Sequence, residues 1–347
     1  MQISIDPSPL NRQLARRENE ARLDDCSWSE ELQSWLVFDQ ELMFNIMRDT
    51  RFVVDDSINE IDFIARNLAM DLSATLAMFK QAPIALEGKE HAERRRNMAL
   101  QITANVELAL VRYSNYIDVT IPHIFSKPKS FDIMEVLFRP AVYELMSGLA
   151  GVCPAIVPGE PTLPEVFDRR IGPGRRIKIE SGIAALVREA QEKTATGNPF
   201  QTAALALIGQ NALLGTLSLS FAHEIDKNSG VKLRDINWKS SPSVSGLAFV
   251  ERLATQDVIV AEQHIKSGQR IRLYLDVQGA DDNYDRDGYF GAGRHICLGK
   301  ALSLRAWQKL IEKFGDVDRY VKIDEPIYRR DDAMFTQPSK ILVMCYD

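Results

Sequence analysis

The spacing of apolar positions divides the chain into a long helical part and a shorter part with strand periodicity. Trp35-Leu36-Val37-Phe38 is a continuous apolar run that predicts a short buried strand, and Leu42, Met43, Ile46 and Met47 predict a helix from Asp39 to Arg48. Ile58 to Phe79 keeps a helical period and predicts a core-facing helix. Ser130 to Gly151 predicts a helix that breaks near Pro140, resumes, and ends at the glycine. Gly172-Pro173-Gly174 marks a turn, Arg175 to Thr194 a mostly polar helix, and Asn198-Pro199 a helix start. Phe200 to Ile225 is apolar all round, the pattern of a buried helix.

The period then shortens. Phe249 to Asp257, Val258 to Val260 and Ile271 to Leu275 predict strands around a hairpin turning at Lys266-Ser267-Gly268-Gln269, and the tail ends in short strands up to Cys345. Between them, Leu302, Leu304, Leu310, Ile311 and Phe314 predict an amphipathic helix from Ala301 to Phe314. The fold class expected is mostly α with a small β region, as a single domain over residues 1–347 with residues 1–30 as a polar, loosely packed lead-in.

Composition narrows the function classes. The chain has 347 residues, 45% hydrophobic and 26% charged, enough apolar material for a large core. A formal charge of -6 argues against nucleic acid as a partner. No apolar run reads as a membrane span and the start lacks the pattern of a signal peptide, so the expectation is a soluble, cytoplasmic protein with no membrane partner. The four cysteines and five histidines are scattered without metal-ligand spacing, so neither a disulfide framework nor a zinc site is expected.

Two stretches carry chemistry. In Tyr289 to Ser303, Gly291, Gly293 and Gly299 surround Cys297 and a helix follows; a loop of that kind can curl and aim its amides at the sulfur, and the helix dipole favours a thiolate. The bland alternative is a structural cysteine in a glycine-rich turn. In Leu86 to Arg96, His91 and Arg95 stand four apart on one helical face and would grip a carboxylate, or else form part of a solvated basic face.

The cysteine segment resembles the cysteine loop of the cytochromes P-450, Phe-x-x-Gly-x-Arg/His-x-Cys-x-Gly, with Phe290, Gly293, His295, Cys297 and Gly299 on the pattern. The resemblance extends from about Trp35 to the end of the chain and implies a truncated cytochrome P-450 fold. It also implies haem b (iron protoporphyrin IX), with Cys297 as the metal ligand and Phe290, Gly291 and Gly299 beside the cofactor. His91 and Arg95 are similar to the His-x-x-x-Arg element that binds a haem propionate, and Arg252 and His295 fall at further propionate-binding positions.

Two departures from the family pattern stand out. Members that activate dioxygen commonly carry Ala/Gly-Gly-x-Asp/Glu-Thr on the long helix. Here Gly209, Asn211 and Ala212 take the glycine, acid and alcohol places on the oxygen side, and a register four residues later puts Gly215 and Thr216 there; neither gives an acid–alcohol pair to relay protons. The Glu-x-x-Arg helix is also missing, with the segment around Leu233 to Trp238 as its remnant and a short loop before Phe290 in place of its partner region. The function implied is a haem-thiolate oxidoreductase of monooxygenase type, acting on a small organic molecule in a biosynthetic pathway. Arg94, Arg96, Arg294, Lys300, Arg305 and Lys309 would steer a ferredoxin-type electron donor. The alternatives are a peroxygenase, isomerase or dehydratase needing no external reductant, or a non-catalytic helper of the same fold.

Overall fold

The computed structural model describes residues 26–154, 165–166, 171–193, 197–275, 290–324, 327–328 and 334–347. The lead-in as far as residue 25 and the loop just before Phe290 lie outside them. In chain order the elements are β1 (Cys26–Ser29), β2 (Ser34–Val37), α1 (Gln40–Arg48), β3 (Phe52–Val54), α2 (Ser57–Asn67), α3 (Ser73–Phe79), α4 (Gly88–Ile124), β4 (Lys129–Asp132) and α5 (Arg139–Ala150). They continue with α6 (Pro173–Lys193), α7 (Pro199–Lys227), β5 (Phe249–Ala254), β6 (Val258–Val260), β7 (Gln263–Ile265), β8 (Arg270–Tyr274) and α8 (Lys300–Phe314). The last four strands are β9 (Tyr320–Ile323), β10 (Ile327–Tyr328), β11 (Pro338–Lys340) and β12 (Leu342–Tyr346).

Helix α7 is the axis of the helical part. Asn198 caps its start, accepting from the amides of Phe200 and Gln201. By length and composition it has enough apolar residues to cross a membrane, unlike the reading from sequence, but 83% of its most apolar stretch is buried in this protein. It is covered by α5, α6 and α3, and α4 packs along α5 and α8. Arg139 and Pro140 open α5, where proline costs no helical hydrogen bond, and Gly151 ends it at φ +77.

The β part is one five-stranded sheet, β1-β2-β8-β5-β3, antiparallel except for the parallel pair β2–β8, and a three-stranded antiparallel sheet β4-β12-β9. Cys26 to Ser29, expected within the lead-in, is an edge strand of the larger sheet.

Three local expectations change for non-local reasons. The helical run from Ile58 to Phe79 is two helices: Glu180, from α6, accepts from the amides of Ala74 and Thr75 at 2.8 and 3.0 Å and starts α3 afresh. Ser130 to Asp132 is strand, not helix, because β12 pairs with it; a π-helical turn, Met134–Phe138, then leads into α5. The hairpin turns at Ala261 and Glu262, both at positive φ, between β6 and β7. A turn does form at Lys266 to Gln269, the Gln269 amide donating to the Lys266 carbonyl at 3.0 Å, but it joins β7 to β8, which do not pair, and the Gly268 amide donates to the Ala254 carbonyl at 2.8 Å.

The chain between α7 and β5 crosses α7 where both sides lack a side chain. A Cβ on Gly215 would lie 2.2 Å from the Thr336 carbonyl oxygen and 2.8 Å from Gly246 Cα. The Gly246 amide donates to Thr216 Oγ1 at 2.9 Å, and that hydroxyl donates to the Ala212 carbonyl at 2.8 Å. The neighbours of Gly215 are backbone and yield little, so Gly215→Ala should destabilise the protein by roughly 1–3 kcal/mol. Equilibrium unfolding in urea, read as a lower midpoint at unchanged slope, checks this.

Candidate active site

The cysteine loop is built from its backbone. Gly293, at φ +67, opens a short 3-10 turn to His295, and a Cβ there would lie 2.7 Å from the Met47 carbonyl oxygen, so the loop is pressed against the end of α1. The Cys297 amide donates to the Phe290 carbonyl at 2.8 Å and closes the loop. Helix α8 begins three residues on, and the amides of Gly299 and Lys300 face the Cys297 sulfur. The thiol opens into a cavity but is otherwise enclosed. Burial pushes its pKa up, against the Gly299 amide, the Arg95 charge and the Lys300 amide, which pull it down. A cation at the sulfur would reverse the balance, because coordination deprotonates a thiol.

The cavity, counted together with the open space at its mouth, holds about 1460 Å³ not filled by atoms. Phe290, Gly291, His295, Cys297 and Gly299 line one side, and Arg95 and Arg252 reach it from α4 and β5. The opposite side is a stripe of α7: Leu205, Ile208, Gly209, Ala212, Leu213 and Thr216.

Helical geometry decides which expected residues share this cavity. Gly209 and Ala212 are on the stripe, although a Cβ on Gly209 would meet Met146 Cε at 2.7 Å, so its bareness also makes room for that side chain. Asn211 is not on it. The residue is 1% exposed, donates from Nδ2 to the Leu207 carbonyl at 2.8 Å, and accepts at Oδ1 from Gln337. Gln210 is likewise turned away, donating to Pro154 at 2.7 Å. At 100° per residue, the turn after Gly209 presents Ala212 and Leu213 to the cavity, not Asn211 and Ala212. The placement of Asn211 is thus corrected: Gly209 and Ala212 line the cavity and Asn211 faces away from it. Thr216 does reach the wall, with its hydroxyl bonded to Ala212 and Gly246.

Beside the cysteine loop lies a cluster of donors. Arg252 is 7% exposed, and its one hydrogen bond among the described residues is to the Glu251 carbonyl at 2.8 Å. Burial lowers its pKa to about 10, so it is charged at neutral pH with no carboxylate in ion-pair contact among the described residues. His91 is 4% exposed, and its Nε2 has no hydrogen-bond partner among the described residues. Its ring packs on His295 at 4.2 Å between centroids. Arg95 donates to the Ile296 carbonyl at 2.6 Å. A buried guanidinium without an acid and an orphaned buried imidazole nitrogen fit a ligand that carries carboxylates, and the thiol across the same cavity fits its metal.

His295 differs from that group: its Nε2 lies 3.3 Å from the Glu87 carboxylate. Glu87 also accepts from the Val54 amide at 2.8 Å and lies 2.8 Å from Arg294 Nε. Burial works to raise its pKa, but the His295 and Val54 hydrogen bonds, with the charges of His295 and Arg294, hold it at about 2. Sequence reasoning missed Glu87 as a site residue; the available signal was an acid directly ahead of the His91 helix.

The basic residues on the cysteine side are partly neutralised. Arg94 pairs with Glu93 at 2.8 Å, Arg305 with Glu107 at 2.7 Å and Arg294 with Glu87, while the Lys300 ammonium sits 5.7 Å over the Phe290 ring.

No family profile and no curated protein sequence matches this chain. Solved structures do. CalO2 superposes with a TM-score of 0.75 at 13% identity, over 98% of each chain. P450BioI, in a complex with an acyl carrier protein bearing hexadec-9Z-enoic acid, gives 0.72 at 14%, over 97% of this chain and 98% of its own. CYP109B1 from Bacillus subtilis, a cytochrome P-450 enzyme, gives 0.68 at 15%, over 95% and 98%. The chain has the cytochrome P-450 fold.

His91 sets an acid limit on the cofactor-free protein. Burial, with the charges of His295 and Arg95, lowers its pKa to about 4 from an ordinary 6.5. Between those values the unfolded chain binds the proton and the folded protein does not, so stability falls as pH falls through this window and is retained above it. The loss should be on the order of 2 kcal/mol, and His91→Phe should flatten that part of the profile. Urea midpoints measured across the window check it.

Proposed function

We propose that this chain is a haem-thiolate oxidoreductase acting on a small organic molecule. The observation that carries the reading is the Cys297 thiol in an apolar cavity that Arg252 also lines; among the described residues no acid is in ion-pair contact with that guanidinium, and His91 Nε2, buried against His295, has no hydrogen-bond partner. When bound, haem b with a thiolate ligand supplies redox-active iron, with electron donation that favours O–O cleavage.

The chain's own residues would bind and orient. Cys297 would ligate the iron, with the Gly299 and Lys300 amides stabilising the charged sulfur. Arg252, His91 and Arg95 would donate to the propionates. The α7 stripe, with Ile84, Leu247 and Phe335, would exclude water and hold an apolar substrate by shape. Several likenesses act on or bind sizeable organic ligands by their names, among them epothilone and an acyl group on a carrier protein.

A second reading has its own support. On the turn where protons would be relayed, the wall offers the methyl of Ala212 and the isobutyl group of Leu213, and the Thr216 hydroxyl is already bonded. Neither apolar group moves a proton. That favours chemistry on a substrate or oxidant that already contains an O–O bond, as a peroxygenase or isomerase, over delivery of electrons by a ferredoxin. The ion pairs of Arg94, Arg294 and Arg305 reduce the charge available to steer such a carrier.

The purified protein, reduced and exposed to carbon monoxide, should show the long-wavelength Soret band of a thiolate-ligated haem, and Cys297→Ala should abolish it. Protein that stays colourless after expression with ample haem ends the reading. Turnover of a candidate substrate should proceed with peroxide alone and be indifferent to Arg94→Glu with Arg96→Glu. Salt-sensitive turnover that needs a ferredoxin system and falls in that double variant would restore the reductase-coupled reading.

A further inference from the structure

One charged side chain in the cradle faces the wrong way to hold an anionic ligand. Glu87 stands at the N-cap position of α4 yet makes no capping bond with its carboxylate. The carboxylate is used on other elements instead: the Val54 amide at 2.8 Å, Arg294 Nε at 2.8 Å and His295 Nε2 at 3.3 Å. Arg294 is held a second time by the Phe52 carbonyl at 2.8 Å. One carboxylate therefore joins the cysteine loop, β3 and the start of the 37-residue helix α4.

We propose that Glu87 is the positioning residue of the cradle: it clamps Arg294 and His295 to β3 and α4, withholds both from the cofactor's carboxylates, and leaves Arg252, His91 and Arg95 to receive them. This rests on the haem reading above.

Three observations carry the division of labour. His295 and Arg294 have a protein acid, whereas among the described residues His91 Nε2 has no partner and Arg252 has only a neighbouring carbonyl. A propionate at His295 Nε2 would lie beside the Glu87 carboxylate, which the Val54 amide and Arg294 keep in place, and that like-charge contact opposes the bond it gains. The charges also balance. The three guanidiniums of Arg95, Arg252 and Arg294 against one Glu87 carboxylate leave two positive charges, which the two propionates of a haem would cancel. Fixing His295 fixes His91 in turn, since their rings pack at 4.2 Å.

The test separates a group that binds propionates from one that positions the loop. Protein carrying Glu87→Gln, Arg252→Ala or neither is reconstituted with haem and with haem dimethyl ester, whose propionates are uncharged, and the rate of haem loss to excess apomyoglobin is measured. Arg252→Ala should speed the loss of haem roughly tenfold or more and leave the ester nearly unaffected, because the charge it binds is gone. Glu87→Gln should speed the loss of both by a similar factor. It should also move part of the ferrous carbon monoxide band from its thiolate position to shorter wavelength. Arg294→Lys, which keeps the charge and loses the two-point grip, should reproduce the Glu87→Gln pattern and serves if that variant folds poorly. A Glu87→Gln effect confined to haem and absent with the ester overturns the proposal, as does unchanged retention of both. Parent protein that takes up neither compound fails at an earlier step, the haem reading itself, and takes this proposal with it.

Discussion

The constraint on which the site depends is the burial of guanidinium and imidazole groups around a single carboxylate. Arg252, Arg294, His91 and His295 converge where β5, the cysteine loop and the start of α4 meet, and Glu87 is the acid among them. Burying unpaired guanidinium groups is costly, so such a cluster persists when hydrogen bonds satisfy it or when a ligand completes it. Glu87 does the first for the cysteine loop. Arg252 and the His91 nitrogen, which has no partner among the described residues, are where the second would act: under the proposed reading they would meet a ligand's acidic edge while Cys297 would meet its metal.

The parts of this arrangement that were legible in the sequence are those set by local backbone chemistry. The glycines around Cys297 and the i, i+4 spacing of His91 and Arg95 are short-range signals, and the structure brings Cys297 and Arg95 to one cavity, with His91 buried against the His295 ring. Phe200 to Ile225 was readable as a buried helix because its composition is apolar on every face. Its rotation was not readable for the same reason: a helix without a polar stripe gives no sign of which side meets the cavity. The amides of Gln210 and Asn211 look like site residues in the sequence, but they are satisfied by Pro154, Leu207 and Gln337, of which Pro154 and Gln337 are distant in the chain. Distant partners explain the other differences too. Glu180 ends the continuity of α2 and α3, and β12 turns Ser130 to Asp132 into strand.

The missing Glu-x-x-Arg helix raises the question of what holds its region together. Between α7 and β5 there is only a 3-10 turn, Leu233–Asp235, whose Leu233 and Arg234 amides donate to the carbonyls of Arg319 and Val317. Next to it Trp238 packs against Phe314 at 5.3 Å, Trp307 at 6.0 Å and Phe221 at 6.3 Å between ring centroids, which joins α7, α8 and the connecting segment. Both indole nitrogens are satisfied, Trp238 on the Leu233 carbonyl and Trp307 on that of Lys239.

An aromatic cluster of this kind does the mechanical work of an ion-pair clasp with different energetics. A buried ion pair recovers its desolvation cost only with near-ideal geometry, while packed rings with satisfied N–H groups carry no such cost and gain area burial as well as edge and stacking contacts. Trp307 is fully buried in this cluster, and Trp238 packs beside it. The cysteine loop precedes α8, and α8 carries Trp307 and Phe314, so the rings brace the helix whose first amides face the sulfur. In this chain the ligand-bearing loop is thus held from two sides by different physics: charge at Glu87, and aromatic packing at Trp307.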